Sequence, residues 1–537
     1  MATDRPTDNG DDEDFTPSPR EALHLNAQLS QYNLGRVVSA VPLEIRSSDI
    51  CDGSGLFVSA EIDAGREIYH VHPLTGAIYA NNKSFCHHCC EDTQDVLGGP
   101  SKAALQTKAC TGCRAARFCS KECQKSAWPL YHKEECKLLQ KAPNMTAQNL
   151  ITHRLLFWHR RGGLSKQLAA SLLRLETHFA DFNKDDKRAT ELHDIAVAIQ
   201  EALGTKVALT VPWRLVAAMR INCVRLRPAS RKESVGYAVD ICTAMINHSC
   251  DPNAFVFFEG RQLRIRSLKK IAAGEEVTIC YLDPTLDVAA RKALLKHEYF
   301  FDCYCNRCKS EIREQRSLLG GSNELSPLHQ AQREVLGLIN SAVRASNYPG
   351  IYAALEDLPA IETGVRTITA GAFPPEKPWP EHMEPLPSAR LALAMLYLGQ
   401  GKPVAALRNA LKGKLLSTRT DGGPDWVNEM LDVVTVLIVA GSLPPDAPAF
   451  ADTDFPSVDD IRNVAYGYLL KVSQRARKAF GRDSEYARGI SSMAVTMAAK
   501  KAGAVFGGEE FVVEFEPAQR KVLAWAGVPE ENGICLA

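Results

Sequence analysis

The chain carries no excess charge of either sign: Lys plus Arg and Asp plus Glu number 63 each, for a formal net charge of zero at pH 7. That balance excludes a global field drawing the protein to nucleic acid or to anionic lipid, so binding to nucleic acid is not expected. Long apolar runs are missing too. No stretch reaches the ~18 uninterrupted apolar residues that a membrane-spanning helix requires. Nor do the first twenty residues have the basic start and apolar core of a secretory leader. They hold Asp4, Asp8, Asp11, Asp12, Glu13 and Asp14 against two arginines, with Phe15 as their one aromatic. Such a stretch buries too little surface to fold. Residues 1–40 are therefore expected to be a disordered acidic tail and lead-in. These absences together suggest an intracellular protein, nuclear, cytoplasmic or both. At 537 residues, 45% hydrophobic and 23% charged, the remainder has the makings of several globular domains.

Cysteine is the residue type in surplus. There are seventeen, and in a reducing compartment they are not expected to pair as disulfides. Eight fall between Cys86 and Cys136, and seven of them, with His132, make the pattern Cys86-x2-Cys89, Cys110-x2-Cys113, Cys119-x3-Cys123 and His132-x3-Cys136. Four consecutive short pairs supply eight ligands, enough for two closed tetrahedral zinc sites, because one turn of backbone aims both members of a pair at one ion. Buried free thiols would need no such pairing. The run Cys86-His87-His88-Cys89-Cys90 leaves His87, His88 and Cys90 as substitutes, and spacing does not say which pairs share an ion. Gly98-Gly99-Pro100 marks a loop between the first two pairs. A second, tighter group is Cys303-x-Cys305-x2-Cys308, three ligands that read either as an open catalytic site or as a closed one with a distant fourth ligand.

Strand signals flank the first cysteine cluster. Leu43 to Arg46, Leu56 to Val58 and Glu67 to Tyr69 read as strands, separated by turns at Asp52-Gly53-Ser54-Gly55 and Ile62-Asp63-Ala64-Gly65. Glycines at 53 and 55 permit close backbone approach by a ligand. Further on, Ala244 to Ile246 runs into Asn247-His248-Ser249-Cys250-Asp251-Pro252-Asn253. A hairpin follows, Phe255 to Phe258 and Leu263 to Ile265 around Glu259-Gly260. Val277-Thr278-Ile279 then leads to Cys280-Tyr281, and the chain continues to Tyr299-Phe300-Phe301. Glu275 and Glu276 are read as turn or surface acids.

This string resembles the SET-and-MYND family of protein lysine methyltransferases over roughly residues 40–310, in the family's order. The resemblance implies an α+β fold: a SET β-fold with a pseudoknot, split by a MYND zinc finger and a helical insert, then an α-helical, tetratricopeptide-like C-terminal domain. The expected segments are 41–85 and 236–290 for the two parts of the SET fold, 86–136 for the finger, 137–235 for the insert, 291–315 for the post-SET zinc segment and 316–537 for the helical domain. It implies cross-braced ligation, with Cys86, Cys89, Cys119 and Cys123 on one zinc and Cys110, Cys113, His132 and Cys136 on the other. Cys250 would join Cys303, Cys305 and Cys308 on a third, structural ion. S-adenosylmethionine would be held by Gly53, Gly55, Asn222, Asn247, His248, Tyr299 and Phe301, with Tyr281 catalytic. Ser54 stands where the family often has a longer polar side chain.

The implied partners are a protein presenting a lysine and, at the finger, proline-rich peptides, with the chain itself a monomer. The competing reading is a zinc-dependent interaction module whose SET domain is inactive; the joint presence of Asn247, His248 and Tyr281 favours the enzyme. Elsewhere, apolar residues at helical intervals mark Leu150 to Phe182, Glu191 to Leu203, Leu328 to Val343, Arg390 to Leu398, Val404 to Leu411, Val427 to Val439 and Asp459 to Phe480.

Overall fold

In the computed structural model, residues 37–536 are described, except 40–41, 52, 94–105, 205–206, 322–324, 347–356, 373–376, 418–422, 445–446, 449–453 and 501–508. The acidic tail and the Gly98-Gly99-Pro100 loop lie outside them. The chain divides into two compact units, one up to Leu282 with Leu294–Cys303, the other Asp283–Ala293 with Tyr304 onward.

The first unit holds all the strands among the described residues. Its largest sheet has the order β1-β4-β12-β11 and is antiparallel throughout, built from β1 (Val37–Ser39), β4 (Glu67–Val71), β11 (Ala254–Glu259) and β12 (Gln262–Ser267). β1 thus begins inside the stretch read as a lead-in. The expected hairpin is present, with Gly260 at φ 54° in its turn. β2 (Leu43–Ser47) pairs with β3 (Ser54–Val58), and β5 (Thr75–Ile78) and β8 (Val224–Leu226) flank β9 (Gly236–Val239). The last pairing is parallel: β10 (Asn247–His248) lies beside β13 (Thr278–Ile279). The chain returns alongside its own earlier segment, as a pseudoknot requires. Alternation explains much of the core, since Ile45, Leu56, Val58, Tyr69, Val71, Leu263 and Ile265 fall at every second position of their strands and are buried.

Between β5 and β8 run the finger and the helical insert. The finger contributes β6 (Lys108–Ala109), β7 (Arg117–Phe118), α1 (Lys121–Ala127) and, after one π-helical turn, α2 (Lys133–Lys141). The insert contributes α3 (Ala147–Arg160), α4 (Lys166–Leu173), α5 (Phe179–Asn183), α6 (Asp186–Leu203) and α7 (Thr210–Asn222). Both share one hydrophobic core, in which Phe118 and Tyr131 of the finger join Leu150, Leu155, Trp213 and Val216 of the insert.

A buried ion pair fastens that junction. Arg154 on α3 pairs with Glu135 on α2 at 2.5 Å, with side chains 4% and 2% exposed. Its guanidinium also donates to Thr75 Oγ1 and the Gly76 carbonyl on β5, and stacks 3.8 Å from the Tyr131 ring centroid. Removing one member of such a pair strands the other charge in a dry interior, which costs about 3–5 kcal/mol. Arg154→Met is therefore expected to lower unfolding stability by that amount, and the double replacement with Glu135→Leu to cost less than the single one. Urea unfolding of the zinc-loaded proteins measures both.

The second unit is helical. Its helices include α8 (Asn306–Leu318), α9 (Ser326–Ser346), α10 (Leu358–Gly371), α11 (Leu386–Gly399), α12 (Pro403–Leu415), α13 (Pro424–Ala440), α14 (Val458–Ala479), α15 (Glu485–Lys500) and α16 (Glu509–Ala526). α11 and α12 form a helical hairpin, turning at Gly401 with φ 70°. They approach closely because Gly413 has no side chain; a Cβ there would lie 2.9 Å from the Pro387 carbonyl.

Candidate active site and zinc centres

In the finger, local backbone aims each pair of ligands. The β6–β7 hairpin closes around Cys110 and Cys113, whose turn is fastened by Cys110 N–H to Ala116 O at 2.8 Å and Arg114 N–H to Cys110 O at 2.8 Å. Ser120 caps α1 by accepting from the Cys123 amide at 3.1 Å, which fixes Cys123 opposite Cys119. Backbone amides of His88 and Ala116 point at Cys86 Sγ and Cys113 Sγ, both at 3.5 Å. Such amide contacts favour thiolates. The result is the cross-brace: Cys86, Cys89, Cys119 and Cys123 form one set and Cys110, Cys113, His132 and Cys136 the other, with the ligand atoms of each set within 4.8 Å of one another. Cys250, Cys303, Cys305 and Cys308 form a third set by the same measure. Four sulfurs, or three and an imidazole, are the donor sets of closed structural zinc.

Electrostatics fit the same reading. Cys86 is pulled down to about 5, chiefly by the thiol of Cys89 donating to it, and Cys89 is pushed up in turn. The alternatives in the run Cys86 to Cys90 are resolved. Cys90 turns away at φ 59°, and burial raises its thiol to about 12. His88 Nδ1 meets the Tyr131 hydroxyl at 3.2 Å, and burial lowers His87 to about 3, leaving it a neutral packed ring.

The second centre sits where β10 and β13 run side by side. Tyr281, just beyond β13, donates its hydroxyl to the Ile246 carbonyl at 2.6 Å. Burial is the first cause pushing its phenol well above the usual range, followed by Tyr299, Cys51 and Glu276, so it remains a neutral O–H. Aromatic rings surround it: His248 at 5.2 Å and Tyr299 at 5.0 Å between centroids, with Phe301 5.7 Å from His248. Phe300, between those two aromatics, takes φ 63° and turns its ring the other way, onto His178 and Phe182. Tyr299 and Phe301 are left together beside His248.

His248 has both ring nitrogens engaged. Nδ1 accepts from the Tyr281 backbone N–H at 3.0 Å, and an amide can only donate. The ring is therefore the Nε2–H tautomer, and that proton points at Cys250 Sγ, 3.2 Å away. Any contact of His248 with a cofactor falls to its backbone.

Asn247 faces the β2–β3 turn. Its Nδ2 donates to the Ser54 carbonyl at 3.0 Å and to Glu276 Oε1 at 2.7 Å, while Oδ1 receives Cys51 Sγ–H at 3.6 Å. Here one expectation fails. Glu276 is not a surface acid; it is 9% exposed, and Ser48 Oγ donates to it at 2.8 Å. Glu275 does serve the turn, accepting from the Ala272 amide at 2.8 Å. Gly55 is needed for Glu276, because a Cβ would sit 2.1 Å from Oε1. Gly53 is 3.5 Å from Cys51 Sγ by the same construction. Asn222 closes α7, donating from Nδ2 to Ala218 O at 2.8 Å and Glu176 O at 2.7 Å. No hydrogen bond links Asn222 to Asn247 or Tyr281 among the described residues; the nearby Arg225 on β8 faces Tyr299 instead.

The SET domain family model matches residues 53–282, which hold the β3 turn, Asn247, His248 and Tyr281. The chain is 28% identical over 293 residues to human histone-lysine N-methyltransferase SMYD3, covering 53% of this chain and 65% of that protein. It is 29% identical over 211 residues to the SET domain and MYND-type zinc finger protein 6 of Schizosaccharomyces pombe, covering 38% and 42%. Over residues 53–282 the chain is similar to the SET domain family. Human histone-lysine N-methyltransferase SMYD1 is a further relative, 25% identical over 302 residues, covering 53% of this chain and 59% of its own. Each match spans less than two thirds of the relative's length. No helix among the described residues is long and apolar enough to cross a membrane.

Proposed function

We propose that this protein transfers a methyl group from S-adenosylmethionine to lysine side chains of proteins. The observation that carries the reading is the neutral Tyr281 phenol, pinned to the Ile246 carbonyl within a group of aromatic rings. Gly53, Gly55, Asn222, Asn247, His248 through its backbone, Tyr299 and Phe301 would hold the cofactor, which supplies an electrophilic sulfonium methyl. The relatives' names as lysine methyltransferases support the same class. An inactive interaction module is not favoured, because Asn247, His248 and Tyr281 are jointly present. Proline-rich peptides at the finger, a monomeric state and a nuclear or cytoplasmic location belong to the proposal.

The acceptor must arrive as a neutral amine. A free lysine has a pKa near 10.4, so neutralising it at pH 7 costs about 4–5 kcal/mol. Tyr281, Tyr299 and Phe301 present surfaces that solvate an ammonium poorly, which lowers that cost. Because the Tyr281 proton is held by Ile246 O, the phenol oxygen offers lone pairs. It would accept from the amine N–H and so orient the amine for reaction. Holding the amine in a fixed position would supply much of the remaining rate. Tyr281 is not the base.

The test is purified protein with isotopically labelled cofactor and cell-extract proteins, read by mass spectrometry for methyl-lysine. Absence of labelled lysine in any protein would sink the assignment. The pH profile is expected to rise with the fraction of neutral substrate lysine. Since Tyr281 ionises only above its ordinary pKa of about 10, loss of its proton should add no falling limb between about pH 8 and pH 10. A falling limb present in the wild type and absent in Tyr281→Phe would show that the phenol ionises in the working range.

A further inference from the structure

Glu276 is a buried carboxylate with neutral partners: the Ser48 hydroxyl at 2.8 and 3.1 Å and the Asn247 amide at 2.7 Å. Among the described residues no Lys, Arg or His pairs with it. A carboxylate kept in the interior without a countercharge is costly, and one that faces a binding site is usually answered by a cationic ligand.

Its effect on Asn247 is specific. The Asn247 amide has two hydrogens, and two acceptors face them, the Ser54 carbonyl and Glu276 Oε1. Neither acceptor can donate, so the amide cannot be flipped and Nδ2 has nothing left for a ligand. What remains is Oδ1, which meets the thiol of Cys51, an exposed residue. Asn247 therefore presents an acceptor toward the open side, backed within hydrogen-bond distance by a negative charge.

We infer that Glu276 is a positioning residue that turns Asn247 into an acceptor for a cationic N–H group of the cofactor, its α-ammonium. This rests on the cofactor reading above and adds to it the residue that selects the charged amine. Neither the adenine amino group nor the ribose hydroxyls carry a charge to answer the carboxylate. Gly55 and Ser48 belong to the same device, one leaving room for the carboxylate and the other holding it from behind.

The experiment is calorimetric titration of wild type, Glu276→Gln and Ser48→Ala with S-adenosylhomocysteine and with its analogue lacking the α-amino group. A hydrogen bond to a charged group should make the wild type prefer the amine by on the order of tenfold to a hundredfold. Glu276→Gln, which can turn an NH2 toward Asn247 and flip its amide, should lose most of that preference while binding the des-amino ligand nearly as well as wild type. Ser48→Ala should lose part of it. Equal weakening of both ligands in these variants would mean Glu276 only supports the fold, and an unchanged preference would also overturn the inference. If Glu276→Gln loses its zinc and binds neither ligand, the Ser48→Ala comparison decides by the same criteria. A wild type that binds neither ligand would overturn the cofactor reading; one that binds both equally would leave that reading standing and remove this one.

Discussion

Tyr281→Phe should bind S-adenosylmethionine about as tightly as the wild type and transfer methyl groups on the order of a hundredfold to a thousandfold more slowly, the usual loss when one preorganised polar group is removed from a transition state. The ring contacts with His248 and Tyr299 survive the change, since they use the faces and edges of the ring. The hydrogen bond of the Tyr281 amide to His248 Nδ1 is a backbone bond and survives as well. What disappears is the hydroxyl and its bond to Ile246 O. The loss should therefore appear in kcat, with little change in the KM for cofactor. Single-turnover methylation beside cofactor titration separates the two. Turnover within a fewfold of wild type would make Tyr281 a packing residue.

The second large effect concerns the finger. Zinc binding in such a segment is part of its folding free energy, with apparent values of about 10–16 kcal/mol in isolated finger peptides. Spacing alone suggests that Cys136→Ser would unfold the finger and leave the rest untouched. The shared core changes that expectation. Cys136 and Phe118 belong to the same packed cluster as Leu150, Trp213 and Met219. Trp158 on α3 donates to the Leu130 carbonyl at 2.7 Å, and Arg154 reaches from α3 to both α2 and β5. Wild-type protein should carry three zinc ions per chain. Cys136→Ser should carry two or fewer, and the SET fold should melt at lower temperature with it. Elemental analysis and thermal unfolding read the two outcomes. Loss of one zinc with an unchanged melting temperature would show the finger to be an independent module.

What could be read from the sequence was what local chemistry dictates. The paired cysteines declare themselves because zinc geometry demands short spacings, and Asn247, His248 and Tyr281 stand in recognisable strings. Glu276 did not, because Glu275 beside it is the same residue type with the opposite environment. One turns back to the Ala272 amide and the other reaches across to Ser48, 228 residues away in the chain. Only that pairing of β2 and β3 with the later segment distinguishes them. The helix Leu358–Gly371 was equally hidden. Its β-branched and glycine residues favour a helix poorly, and packing holds it: Gly364 lies so close to Leu338 that a Cβ would be 3.0 Å from its Cδ2. Glu509–Ala526 has Pro517 within it, which breaks the usual pattern. The left-handed turn at Phe300, which sorts the three aromatics, leaves no mark in the sequence at all.

The order of strands has a consequence for synthesis of the chain. β4 takes its neighbour from β12, and the Arg66 amide finds its acceptor, Ser267, 201 residues later. On the ribosome, Ile45, Leu56, Ile68 and Val71 emerge with no partner sheet to cover them, while the finger's ligands are complete once residue 136 is out. A nascent chain would load its two finger zincs first, then build the helical insert, and hold a sticky half-sheet exposed until the second half arrived. That interval is when the protein depends most on chaperones and on zinc supply, so metal starvation during translation should cost more folded protein than chelation of the finished chain.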